Sequence, residues 1–287
     1  MCRLFGFRSV ISSQVHSSLL NAENALATKI IDHPDGWGVA YYLQNIPHVV
    51  KSAKTALNDN IFKKVSGIVS SETVLAHIRK TTVGNNNALN THPFQYGKWV
   101  FAHNGHIVDF ASKKEEFIKH ICPKLRKYIL GETDSEYIFY FILTKISLKY
   151  NLSQDQYDTG ELTQVINSAV DDICKLVGHA SEDNDLGDTV NYFTFILTNG
   201  KTMVAHQRGK KLHYSTYKTK CPERDECSSF SPICEKKAED NGQVNHLIIS
   251  SEPLSGENVW HELKFGETVA VNHEMIFQKK IKSFTQL

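Results

Sequence analysis

The 287-residue chain has little of what would assign it quickly to a class. No segment approaches the ~18 consecutive apolar residues that a membrane-spanning helix requires, so a membrane span is not expected. Neither sign of charge dominates. There are 32 Lys and Arg against 31 Asp and Glu, a net charge of +1 with the 14 His neutral. No long block of like charge marks a tail, so a nucleic acid is not an expected partner. The N-terminus, MCRLFGFRSV, lacks a charged segment followed by an apolar one and a cleavage site, which argues against secretion and for a cytoplasmic protein. The six cysteines, in a long chain without a secretory signal, are expected as free thiols in a reducing cytosol, and no Cys-x-x-Cys pair marks a redox motif. Internal repeats and low-complexity tracts are also missing.

What is present describes an ordinary globular chain: 41% hydrophobic and 22% charged residues, enough for one large core or two small ones. Apolar spacing predicts strands over 3–11, 37–43, 47–54, 73–78 and 98–103. Helices are predicted over 16–29 and 59–70, with a turn at His33-Pro34-Asp35-Gly36 between the first helix and the second strand. Asn104-Gly105 favours a tight turn, with Ile107 and Val108 returning beyond it. A helical block follows over about 112–178, as helices 112–129, 134–149 and 161–177, and Thr133 or Asp134 is a natural N-cap. A polar loop over 180–189 leads to strands at 190–198, 201–206, 211–217, 245–250, 267–272 and 275–280. Residues 218–242, with three of the cysteines, read as a long surface loop. Strands, then helices, then strands again predict an α+β fold of two packed sheets with helices outside, forming one domain over 2–280.

The chemistry begins at Cys2. Removal of Met1 would leave a thiol and a free α-amine on one residue. The thiol titrates near ~8.5 and the amine near ~7.7–8.0, so the amine can serve as general base at neutral pH. Acyl transfer also needs donors for a developing oxyanion. The Asn104 side-chain amide and the Gly105 backbone N–H can supply them. A glutamine-like substrate needs partners at both ends of its amino-acid moiety. Arg79 can hold a carboxylate through two parallel bonds, and Asp134 can pair with an ammonium. Each residue alone has a plainer explanation: an incidental cysteine, a hairpin turn, a surface ion pair, a helix cap. The set is what carries the reading.

MCRLFGF at the terminus, DGWG at 35–38, AHIRKTT at 76–82, NTHPF at 90–94, HNG at 103–105 and ETDSE at 132–136 resemble, in order and spacing, the class II glutamine amidotransferases. This is a branch of the N-terminal-nucleophile hydrolases. A late SSEPL segment, Ser250 to Leu254, is similar to that of the compact, stand-alone members. The resemblance implies a four-layer αββα sandwich with two central antiparallel sheets. It further implies that Cys2 is the nucleophile of a γ-glutamyl thioester and that Asn104 and Gly105 form the oxyanion hole. Arg79 would bind the substrate carboxylate, Thr82 the glutamyl backbone atoms and Asp134 the α-amino group.

The sequence departs from the amino-sugar-forming members at Lys80 and Val83, and no ammonia-accepting domain has room after the sandwich. Either glutamine or a γ-glutamyl compound is hydrolysed outright, or a separate synthase subunit takes the ammonia. A binding module that kept the fold without chemistry, and a thiol redox protein using Cys2, are the competing classes. No cofactor is implied. His77, His92, His103 and His106 are expected as hydrogen-bonded residues shaping the pocket rather than metal ligands, although His103 and His106 have His-x-x-His spacing. Cys221, Cys227 and Cys234 are spaced too widely for an ordinary structural zinc pair.

Overall fold

The computed structural model of the chain describes residues 2–14, 19, 35–56, 59–79, 85–183, 186–222, 224–237 and 242–281. The helix expected over 16–29 lies outside them except at Leu19, and His33, Pro34, Lys80, Thr82 and Val83 lie outside entirely.

Among the described residues, thirteen strands are distributed between two antiparallel sheets. The first has seven: β1 (Arg3–Gln14), β2 (Gly36–Leu43), β3 (Ile46–Ser52), β4 (Ser70–Arg79), β9 (His213–Ser215), β10 (His246–Ser250) and β11 (His261–Glu262), in the order β11-β9-β10-β1-β4-β2-β3. The second has six: β5 (Phe94–Tyr96), β6 (Trp99–His106), β7 (Tyr192–Thr198), β8 (Met203–His206), β12 (Glu267–Val271) and β13 (Phe277–Ile281), in the order β13-β12-β8-β7-β6-β5. The helices are α1 (Asn60–Ile68), α2 (Phe110–Lys119), α3 (Pro123–Arg126), α4 (Asp134–Ser147) and α5 (Thr159–Val177).

Alternation along each strand sorts side chains to two faces, and the buried residues accordingly form three clusters. Leu4, Leu75 and Ile249 of the first sheet meet Ala102, Ile196 and Val269 of the second between the sheets. Phe101 and Phe195 face outward onto Phe139 of α4 and Ile166 of α5. Phe5, Trp37 and Ala76 face the other way, onto Phe62 of α1. The layers run helix, sheet, sheet, helix, the expected αββα sandwich. Because β4 and β7 are covered on both faces, their central residues, Val74–Ala76 and Phe195–Leu197, read as continuous apolar runs rather than alternating ones. Trp37 is fully buried, and its indole N–H donates to Asp59 Oδ2 at 3.0 Å.

The structure corrects several local readings. Asn104-Gly105 is not a turn: β6 runs through it to His106, paired residue for residue with β7. The helix expected over 112–129 is two pieces, because Pro123 sits in the first turn of α3 and cannot continue α2. The strands expected at 201–206 and 211–217 shorten to β8 and β9, and the sequence reading missed β5 and β11. Within the loop over 218–242, Pro232–Glu235 forms a 3₁₀ turn. Among the described residues, no helix is long and apolar enough to cross a membrane.

Candidate functional site

The ladder between β1 and β4 sets Arg3 opposite Ile78. Continued by one residue, it puts Cys2 opposite Arg79. On the far side of β4, Gly36 pairs with Arg79, and the Asp35 N–H donates to the Arg79 carbonyl at 2.9 Å. Three sequence motifs far apart in the chain thus share one end of the first sheet. Arg79 is buried, at 3% exposure. Burial lowers its pKa, while Cys2, Asp35 and Asp134 pull it back up. The guanidinium therefore has both carboxylates and the thiol in its field.

The second sheet delivers Asn104 and Gly105 to the same place. Val100 and Ala102 face the space between the sheets, so Asn104, in step with them, also faces inward. Its Nδ2 donates to the Cys2 carbonyl oxygen at 3.1 Å, a bond from one sheet to the other. Gly105 pairs with Phe193, whose own N–H turns to the opposite neighbour and donates to Arg208 O at 2.8 Å. In an antiparallel ladder, residues opposite each other face together or away together. The Gly105 N–H is therefore directed away from β7. On that side β5 ends at Phe94, opposite Phe101, so the edge of β6 over 103–105 has no strand neighbour. A side chain at 105 is excluded by close approach: an added Cβ would lie 2.1 Å from Tyr192 O and 2.5 Å from His103 Nε2.

Asp134 opens α4, whose N-cap is Thr133. Its Oδ2 accepts from the Ile107 N–H at 2.6 Å and its Oδ1 from the Ser135 N–H at 2.7 Å. Burial raises the Asp134 pKa, and these two N–H bonds oppose the shift. The carboxylate thus ties the helix start to the residue just beyond β6. Ser135 Oγ meets His103 Nδ1 at 2.9 Å, and His103 Nε2 meets Tyr192 O at 3.0 Å. Both ring nitrogens of His103 are engaged, and burial pushes its pKa down to about 4.

The expectation for the histidines holds only in part. His103 is hydrogen-bonded, but neither ring nitrogen of His92 meets a hydrogen-bond partner among the described residues. His92 packs against His77, ring centroids 4.3 Å apart. Burial keeps both neutral, His77 pushed down to about 3. No three His, Cys, Asp or Glu among the described residues are placed to hold a metal ion.

The sequence reading left the late SSEPL segment without a role, and it missed Asp35 as a neighbour of Arg79. Beyond the last β1–β10 pair, Phe5 with Ser250, the Ser251 N–H donates to Leu4 O at 3.1 Å and Ser251 Oγ accepts from the Leu4 N–H at 2.9 Å. Arg3 and Glu252 form an ion pair at 2.7 Å. The segment extends the ladder with a side chain and holds the residues that follow Cys2. The loop over 84–91, whose composition would suit a lid, is tied down over 85–91. Asn90 Nδ2 donates to Asn85 O at 2.9 Å, and Thr91 Oγ1 to Asn87 O at 2.8 Å. Thr82 lies outside the described residues. Of the other five candidates, the structure gathers Cys2, Arg79, Asn104, Gly105 and Asp134 at one corner of the sandwich.

A family model described as glutamine amidotransferases class-II matches residues 1–286. A Saccharomyces cerevisiae protein named probable glutamine amidotransferase DUG3 is 30% identical over 243 residues, which are 78% of this chain and 65% of its own length. The gamma-glutamyl-hercynylcysteine sulfoxide hydrolase of Mycobacterium tuberculosis is 32% identical over 117 residues, 33% of this chain and 50% of its own. Among solved structures, a glutamine aminotransferase class-II domain protein from Silicibacter pomeroyi superposes with a TM-score of 0.61 at 19% identity, covering 98% of this chain and 100% of its own. That likeness carries the fold.

Proposed function

We propose, for a chain that belongs to the class-II glutamine amidotransferases, that Cys2 hydrolyses the γ-amide of glutamine or of a γ-glutamyl compound. Once Met1 is removed, the α-amine of Cys2 takes the thiol proton, and the sulfur attacks the amide carbon. The oxygen of the tetrahedral intermediate is stabilised by Asn104 Nδ2 and the Gly105 N–H. Collapse expels ammonia or an amine, which receives the proton from the α-ammonium, and leaves a γ-glutamyl thioester. Water, deprotonated by the same amine, then releases glutamate or the glutamyl moiety. Arg79 holds the α-carboxylate, Asp134 the α-ammonium, and Thr82 the glutamyl backbone atoms. The reaction needs no cofactor.

The observation that carries this reading is the 3.1 Å contact between Asn104 Nδ2 and the Cys2 carbonyl oxygen. It sets an oxyanion donor from one sheet against the residue that bears the nucleophile in the other. Outright hydrolysis is favoured over ammonia delivery to a separate synthase by the hydrolase activity for which the Mycobacterium tuberculosis relative is named.

Glutamate release from glutamine and from a panel of γ-glutamyl amides and dipeptides, with no partner added, tests it. The processed protein is expected to turn over at least one of them, and its intact mass to lack Met1. Turnover of glutamine only after a synthase is added would assign ammonia transfer instead. Full activity in protein that retains Met1 would sink the mechanism, because the amine would no longer be on Cys2.

A further inference from the structure

At the other end of β1 from Cys2 lies a cavity of about 200 Å³. Ser9, on its wall, is seven residues from Cys2, roughly 23 Å at ~3.3 Å per residue. Cys221, Cys227 and Cys234 all line it, with Lys218, Asn245 and His246. All three cysteines are free thiols; Cys221 and Cys234 are buried and Cys227 is half-buried. They are gathered by a loop closed at its neck. The Lys218 N–H donates to Cys234 O at 2.8 Å, and the Cys221 N–H to Glu235 Oε1 at 2.8 Å.

The wall presents a hydrogen-bond donor to one of the three sulfurs. Asn245 Nδ2 donates to Cys234 Sγ at 2.9 Å. Lys218 is the one charged residue among the described residues lining the cavity. His246 adds a second, independent sign of a ligand. It is 8% exposed, and its Nε2 has no hydrogen-bond partner among the described residues. Burial, reinforced by Lys218, keeps its ring neutral, its pKa pushed down to about 4. A small polar molecule in the cavity would give that nitrogen a partner.

We propose that this cavity is a thiol-modification site that takes low-molecular-weight disulfides. Cys227, the least buried of the three cysteines, attacks one sulfur of R–S–S–R. The ligand's S–S bond breaks, a Cys227–S–S–R bond forms, and RS⁻ leaves and takes up the proton that Cys227 gave to water. Cys234, whose sulfur takes the Asn245 N–H, then attacks the Cys227 sulfur and displaces the second RS⁻, which is protonated in turn. Two protein thiols are oxidised to one disulfide, and one ligand disulfide is reduced to two thiols. The site is separate from the Cys2 chemistry and stands whether or not that chemistry is as described.

Full-length Cys2→Ala protein treated with hydroxyethyl disulfide, followed by intact mass and peptide mapping, tests the assignment. Cys122 is the internal control, being half-buried like Cys227 but outside the cavity. The adduct on Cys227 is expected to form at least about tenfold faster than on Cys122. It should then disappear as a Cys227–Cys234 disulfide appears. In Cys234→Ser the Cys227 adduct should persist, and in Cys227→Ser both Cys221 and Cys234 should remain reduced. Equal rates at Cys227 and Cys122, or a stable Cys227 adduct in protein with Cys234 intact, would overturn the proposal. So would a disulfide that leaves Cys234 reduced.

Discussion

The two ends of β1 are built on opposite principles. At the Cys2 end, buried groups are held by hydrogen bonds: the Asp134 carboxylate by two main-chain N–H groups, the Leu4 main chain by both the backbone and side chain of Ser251, and the Cys2 carbonyl by the Asn104 side chain. At the Ser9 end, the pairing of β1 with β4 shifts register between Arg8 and Ser13, and the wall beside it keeps open space and an unpartnered histidine nitrogen. One end is fixed in place, as acyl transfer requires of its donors. The other keeps a cavity with room for a small molecule. A strand shared by both would let the sandwich carry the two proposed sulfur sites without mixing them.

The largest expected break in this contrast is Cys2→Ala. It should lower glutamate release by on the order of 10⁴-fold or more, with the melting temperature within about 2 °C of the parent. Cys227→Ser, at the other end, should change that rate by less than about twofold. A comparable loss from both would mean that the two ends are coupled. Next is Asn104→Ala, which should reduce kcat by about 10²–10³-fold with little change in KM, because its donor acts on the charge that develops in the transition state. A rise in KM at unchanged kcat would make Asn104 a substrate contact and not an oxyanion donor.

Much of the Cys2 corner was legible because its residues stand where simple patterns end. Arg79 closes an apolar strand, Asp134 opens an apolar helix, and Cys2 precedes the first strand. Asn104-Gly105 was misread because its signal as a turn is local, while the ladder with β7, in which Asn104 pairs with Thr194 and Gly105 with Phe193, overrides it. Asp35 and Ser251 were not assigned because their contribution is tertiary. Nothing near Ser251 in the chain says that it will face Leu4 across an extended ladder. The division between α2 and α3 did carry a local sign, Pro123, which the apolar spacing of the helical block outweighed.

The buried histidines give a pH signature shared by both ends. The folded pKa values of His77, His103 and His246 are depressed to about 3, 4 and 4. The unfolded chain therefore binds protons from about pH 6.5 downward while the folded chain does not. Each such histidine makes stability fall as pH drops from about 6.5 towards 4, by up to ~1.4 kcal/mol per pH unit. Asp134 and Glu136, with raised pKa values, act in the opposite sense over part of that range. Urea titrations at pH 7.5, 6.5 and 5.5 — conditions that bracket the unfolded histidine pKa of about 6.5 — should show a plateau followed by a decline. His246→Gln should flatten the decline by about one proton, and an unchanged slope would mean that His246 is protonated in the folded cavity.

The smallest expected effect lies at Ser251, and it asks whether the Cys2 end is held or merely occupied. Ser251→Ala removes the acceptor for the Leu4 N–H but keeps the main-chain bond to Leu4 O. The orphaned N–H is part-buried, so the cost in stability should be about 1 kcal/mol. If the clasp positions Cys2, kcat should fall several-fold more than that loss of folded protein explains, because a displacement of about 1 Å at a reacting group is costly to the rate. Ser251→Thr, which keeps the hydroxyl, should recover most of kcat. A variant that is destabilised by the same amount yet fully active per folded molecule would show that the late motif supports the sheet and leaves the sulfur where it was.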